Sequence, residues 1–160
     1  MRNDQELVTK ELSEAIVGGK ISRIFINEDY LCFSLIEPCK NVWFSVDGDC
    51  CSNSYFHDFV GVKNLLKGGK ILSLEPVAMD HRDVERVSDD ESVSDDVFVQ
   101  FYGYRITVED ENFDTLSAVV AFRNESNGYY GGEMFLVKAR TAIPCEKDEL
   151  PEIFEDYFGD

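Results

Sequence analysis

Ile21-Ser22-Arg23-Ile24-Phe25-Ile26 is followed, after Asn27-Glu28-Asp29, by Tyr30-Leu31-Cys32-Phe33-Ser34-Leu35-Ile36 and, beyond Pro38, by Asn41-Val42-Trp43-Phe44-Ser45-Val46. Each run is short, rich in β-branched and aromatic residues, and bounded by turn formers, which is the pattern of a β-meander. Upstream, Leu7, Val8, Leu12, Ala15 and Ile16 gather on one face of a helix spanning Glu6 to Val17. Gly18-Gly19 then stops it, as glycine past a helix end commonly does.

Downstream, the spacing predicts a second helix, capped by Ser52 or Ser54, with Tyr55, Phe56, Phe59 and Val60 facing inward and Val62 to Leu66 as its extension. A fourth strand, Lys70 to Val77, precedes an acidic stretch from Asp80 to Asp96. Three further strand candidates follow: Val97 to Val108, Leu116 to Arg123, and Glu133 to Arg140. No βαβ alternation is present, and neither is a G-x-G-x-x-G or G-x-x-x-x-G-K-S/T pattern. The expected class is α+β: a single, mostly antiparallel sheet of about six to seven strands with an N-terminal helix and one internal helix packed on it. Residues 1–145 read as one domain with an acidic loop at 80–96, and residues 146–160 as an acidic amphipathic C-terminal tail.

Charge narrows the partners. Fifteen Lys and Arg face thirty-two Asp and Glu, a formal charge of −17 on 160 residues. Such a field repels nucleic acid and anionic membrane and attracts basic surfaces. Its distribution is uneven. The 80–96 stretch sets eight acids against Arg82 and Arg86, and residues 146–160 set seven acids against Lys147. The remaining body is only mildly acidic. With 44 % hydrophobic and 12 % aromatic residues the chain can still bury a core. No apolar run approaches the roughly 18 residues a membrane span needs, and the polar N-terminus lacks a secretory stretch. A cytoplasmic protein is the expectation. Cys32, Cys39, Cys50, Cys51 and Cys145 form no C-x-x-C pair, consistent with reduced thiols.

Two segments stand out as more than scaffold: Asp47-Gly48-Asp49-Cys50-Cys51-Ser52-Asn53-Ser54-Tyr55-Phe56 and Arg123-Asn124-Glu125-Ser126-Asn127-Gly128-Tyr129-Tyr130-Gly131-Gly132. Together they resemble an uncharacterised domain family of small bacterial and phage proteins. Its members pair an Asp-Cys-Cys-Ser run after an early strand with an Asn-Gly-Tyr-Tyr-Gly-Gly run between two late ones. The resemblance covers roughly Ile21 to Arg140 by element order, and only these two motifs are specific. It implies a fold and a phage setting but no activity. From the residues alone, Asn127-Gly128 reads as the turn of a tight hairpin, with Tyr129 and Tyr130 covering a core edge or offering an aromatic platform. Cys50 and Cys51 read as small apolar residues, or as a thiolate near a helix start with His57 as base. A metal site from Asp47, Asp49, Cys50 or Cys51 with His57 or His81 has no diagnostic spacing, and neither metal nor cofactor is expected.

The tail interleaves Leu150, Ile153, Phe154, Tyr157 and Phe158 with acids, and Ile153, Phe154, Tyr157 and Phe158 share one face of a short helix. It would dock on its own domain or on a partner with a basic-rimmed groove. The resulting expectation is a non-enzymatic acidic interaction protein, phage-encoded. It binds a basic, nucleic-acid-binding surface of a host protein, such as a CRISPR or restriction component, and inhibits it. Partner contacts are assigned to Asp89, Asp90, Glu91, Asp95 and Asp96 in the loop and to Glu152, Phe154, Glu155, Asp156, Tyr157 and Phe158 in the tail, whose deletion should leave the fold intact. The alternative is a small-ligand-binding domain or cysteine-dependent enzyme centred on Asp49, Cys50, Cys51, Asn127, Tyr129 and Tyr130.

Overall fold

A computed structural model describes residues 2–36, 39–48, 53–77, 85–86, 98–126, 132–137 and 150–159. The meander forms as the sequence leads one to expect. Strands β1 (Ile21–Ile26), β2 (Tyr30–Leu35) and β3 (Lys40–Gly48) pair antiparallel in sequence order. Asn27 makes the first turn, its side-chain oxygen accepting from the backbone N–H of Asp29 and Tyr30 at 2.8 and 2.7 Å. A register shift between Ile21 and Arg23 turns Ser22 and Arg23 outward together. Ile21, Ile24 and Ile26 then enter the main core, while Phe25 joins Cys32 and Leu150 in a smaller cluster. Apolar residues on both faces explain why these runs read as nearly continuous rather than alternating.

Helix α1 (Arg2–Ile16) buries Leu12 and Ile16 and ends at Gly18, whose φ of 88° suits glycine. The two glycines then hydrogen-bond to Ile71, Gly18 donating to its carbonyl and Gly19 accepting from its N–H. The expected second helix is largely absent. Residues Asn53–Val60 form strand β4, and only Val62–Leu65 are helical, as the single turn α2. A β-bulge explains the misreading. The β4 register skips between Phe56 and Asp58, leaving His57 as the extra residue. Phe56 and Phe59, three apart, thereby face the core together, a spacing that imitates a helix.

The remaining strands are β5 (Lys70–Val77), β6 (Glu85–Arg86), β7 (Phe98–Glu109), β8 (Thr115–Ser126), β9 (Gly132–Leu136), β10 (Glu152–Ile153) and β11 (Tyr157–Phe158). They form two antiparallel sheets, not one, and the described chain is mostly β with two helices. Sheet I has the order β10-β1-β2-β3-β9; sheet II has β11-β4-β8-β7-β5, with β6 added on β7. Consecutive strands read from sequence as neighbours are separated here, because the connections from β3 to β4 and from β8 to β9 pass from one sheet to the other. The tight hairpin expected around Asn127-Gly128 is therefore corrected. Strand β8 pairs with β4 and β7, whereas β9 pairs with β3.

Phe33, Phe44, Phe56, Phe59 and Phe122 are fully buried between the sheets. Phe33 of sheet I lies edge-on to Phe44, with ring centroids 5.5 Å apart, and reaches Phe59 of sheet II at 6.1 Å. Helix α1 packs against β5 and β9, one outer strand of each sheet. At the opposite margins the C-terminal segment supplies both outer strands, β10 against β1 and β11 against β4. The helix expected for the tail is thus replaced by two short strands. Pairing with two open sheet edges satisfies backbone groups that a short isolated helix would leave to water.

Candidate functional site

Asp49, Cys50, Cys51, Asn127, Tyr129 and Tyr130, like Asp89, Asp90, Glu91, Asp95 and Asp96, lie outside the described residues. The strand ends that carry the two motifs are described, and they meet. Asp47 and Gly48 pair with Glu133 and Gly132, while Asn53, Ser54 and Tyr55 pair with Glu125, Asn124 and Arg123. Two motifs some 70 positions apart are thus joined residue by residue at one corner between the sheets.

The inner face of this corner holds a buried polar pair. Ser54 Oγ donates to Asn124 Oδ1 at 2.8 Å, and Asn124 is fully buried. Gly132 lies against both, and a β-carbon there would run into the Ser54 hydroxyl. A larger residue there would push the Ser54 hydroxyl away from its bond to Asn124.

The outer face of sheet II carries a polar cluster. Phe101, Arg123 and Tyr55 form a cross-strand row over β7, β8 and β4, with the Arg123 guanidinium 4.7 Å from the Phe101 ring centroid. Tyr55 donates to Glu125 at 2.8 Å; burial first, then this bond, raises its phenol above the usual value. The bulge turns His57 toward the same cluster, where its Nε2 lies 2.9 Å from Arg123 Nη2 and 3.2 Å from Asp58 Oδ1. A guanidinium only donates, so the Arg123 bond forms while Nε2 is unprotonated, whereas the Asp58 contact calls for a proton on that nitrogen. Burial lowers the His57 pKa, Arg123 reinforces that direction, and Asp58 opposes it. His57 Nδ1 and Arg123 Nε are both buried without a hydrogen-bond partner among the described residues.

This geometry sets a pH dependence. The folded-state pKa of His57 lies below its ordinary 6.5, so the unfolded chain binds the proton more readily. The stability this contributes is fully present above 6.5 and is lost as pH falls through the folded-state value. Urea unfolding of the native protein and of His57→Gln at successive pH values isolates the effect from the titration of the many carboxylates. Native stability should fall relative to the variant as pH drops below 6.5, levelling off once the folded-state value is passed. Parallel pH profiles would show that His57 is not held neutral.

The tail docks on its own domain over the described residues 150–159. Leu150 closes the Phe25–Cys32 cluster, and Ile153 and Tyr157 pack on the main core. Glu152 accepts two hydrogen bonds from Arg23, at 2.6 and 3.1 Å. Asp156 Oδ1 accepts from the N–H of Gly61 and Val62, at 2.8 and 3.1 Å, at the start of α2. Glu152 and Asp156, expected to face a partner, are thus engaged within the chain, and Tyr157 is turned inward. Phe154, Glu155 and Phe158 face outward, the two rings 67 % and 66 % exposed. A groove of about 560 Å³ lies beside them, lined by Gly61, Lys63, Glu155, Asp156 and Phe158.

Sequence reasoning singled out His57 but missed Tyr55, Asp58, Phe101, Arg123 and Glu125 as a set. The only signal was spacing: Tyr55 and His57, like Arg123 and Glu125, lie two apart as on one strand face, but polar neighbours such as Asp58 and Asn124 mask the alternation. Among the described residues no group of three or more His, Cys, Asp or Glu is placed to hold a metal ion. No described helix is long and apolar enough to cross a membrane. The chain matches no protein-family model, and no curated protein or solved structure is significantly similar to it.

Proposed function

We propose that this is a non-enzymatic acidic interaction protein that occupies a basic, nucleic-acid-binding surface on another protein. The observation that carries the reading is the concentration of charge in residues 80–96 and 146–160, with the second segment fastened so that Phe154, Glu155 and Phe158 face outward. Holding the strap in place removes much of the ordering cost that a free acidic tail would meet on binding. Following the phage and bacterial resemblance of its motifs, the proposed partner is a host defence protein of the CRISPR or restriction kind, inhibited because its nucleic-acid surface is covered. Screening by salt supplies the test. The immobilised protein, incubated with nuclease-treated bacterial lysate, should retain basic nucleic-acid-binding proteins at about 50 mM salt and release them at about 500 mM or on addition of duplex DNA. Retention of acidic or neutral proteins, or retention indifferent to salt, would refute it.

A second reading, a small-ligand site or cysteine-dependent enzyme at the motif corner, is favoured by one observation. The flanks of both motifs are cross-strand partners, so any chemistry the motifs carry would be assembled in one place.

A further inference from the structure

Resting on the acidic-interaction reading, we propose that the groove between α2 and the C-terminal strap receives an arginine side chain of the basic partner. In this arrangement the guanidinium stacks on the Phe158 ring with the carboxylates of Glu155 and Asp156 as counter-charges. Three features support it. First, Phe158 stands two-thirds exposed on a strand whose neighbours hold it firmly. Tyr157 pairs with Phe59, Asp156 caps α2, and Gly159 donates its N–H to the His57 carbonyl. An exposed ring on an anchored backbone offers contact area at little entropic cost. Second, the groove walls combine this ring with two carboxylates. Asp58 is the cross-strand partner of Phe158 and shares its face, which adds a third carboxylate beside the ring. Third, Val60 lies two residues beyond Asp58 on that same face and is 46 % exposed, which adds apolar surface to the face that carries the ring.

The chemistry selects the occupant. An aromatic face flanked by carboxylates recognises a cation, and arginine better than lysine, because a planar guanidinium stacks on the ring while its N–H groups reach carboxylate oxygens. Lys63 also lines the groove and repels an entering cation, so it limits affinity rather than supplying it.

The test uses two synthetic probes, acetyl-hexa-arginine amide and acetyl-hexa-lysine amide, titrated calorimetrically into the full chain at low salt. Native protein should bind the arginine peptide about tenfold more tightly than the lysine peptide. Phe158→Ala should abolish that preference, Glu155→Gln should weaken binding of both peptides, and Lys63→Ala should strengthen it. Amide NMR shifts on adding the arginine peptide should centre on Gly61, Lys63 and Phe158. The three side chains are exposed or line the groove, and unchanged circular dichroism confirms that the variants fold. If Phe158→Ala binds both peptides as native does, or the shifts fall only in residues 80–96, the arginine site is overturned while the acidic-interaction reading stands. If neither peptide binds native protein, both fall.

Discussion

Truncation after residue 149 should leave a protein that is largely unfolded, or that melts far below the intact chain. The segment removed supplies the outer strand of both sheets, β10 on β1 and β11 on β4. With it go Leu150, 4 % exposed, and the core contacts of Ile153 and Tyr157. Burying such a side chain contributes about 2 kcal/mol when complete and less when partial. The Asp156 cap on Gly61 and Val62 contributes about 1 kcal/mol more. Together these losses reach about 5 kcal/mol, the lower end of the total stability of an ordinary domain. Four acids go as well, but Glu152 is paired with Arg23 and Asp156 caps α2, so relief of repulsion offsets only part of the loss. Thermal melting followed by far-ultraviolet circular dichroism measures the effect. A truncated chain melting within a few degrees of the intact one would show the strap to be a passive appendage, as its acidic composition first suggests.

The second large effect is expected at Gly61, where Ala should cost about 3 kcal/mol or more. Its φ is 88°, a left-handed conformation that costs a side-chain-bearing residue about 1–2 kcal/mol. A β-carbon would also stand 2.7 Å from the Ser117 carbonyl oxygen and 2.9 Å from Ala118 Cα. Both are backbone atoms of β8, held on β7 opposite Thr107 and Ile106, so they yield only by moving the strand. The same substitution would disturb the N–H that donates to Asp156 and so loosen the strap. Gly18 and Gly68 provide the control. Their φ values are 88° and 84°, but an added β-carbon at either meets nothing within 4 Å. Gly18→Ala and Gly68→Ala should therefore show the backbone cost alone in urea unfolding. Equal losses at all three positions would refute the steric part of the argument.

Much of the fold can be read from residue pattern alone. Strands β1, β2, β3, β5, β7 and β8 announce themselves as apolar, β-branched runs between turn residues, and β5 has the same limits in sequence and structure. Helix α1 and its glycine stop are equally plain. Strand β4 is hidden because one bulged residue at His57 shifts Phe56 and Phe59 into helical spacing. The tail is hidden for a related reason. Ile153 and Tyr157 are four apart like residues on a helix face, yet they reach the core from strands on different sheets. Partition into two sheets is a long-range property, set where Gly48 meets Gly132 and Asn53 meets Glu125, and no local pattern encodes it. The same holds for the polar cluster. Tyr55 and Arg123 are visible in the motifs, but their adjacency depends on a register that only the assembled sheet defines.

The placement of β10 and β11 also bears on how the protein is made. Until residues 152–158 have emerged from the ribosome, β1 and β4 each present an unpaired edge, and each sheet lacks an outer strand. A nascent chain in that state offers neighbouring chains two templates for strand addition. The acid-rich stretch at 80–96, translated well before the edges are covered, would keep such chains apart by mutual repulsion. Part of the charge would then act during synthesis, before any partner is met.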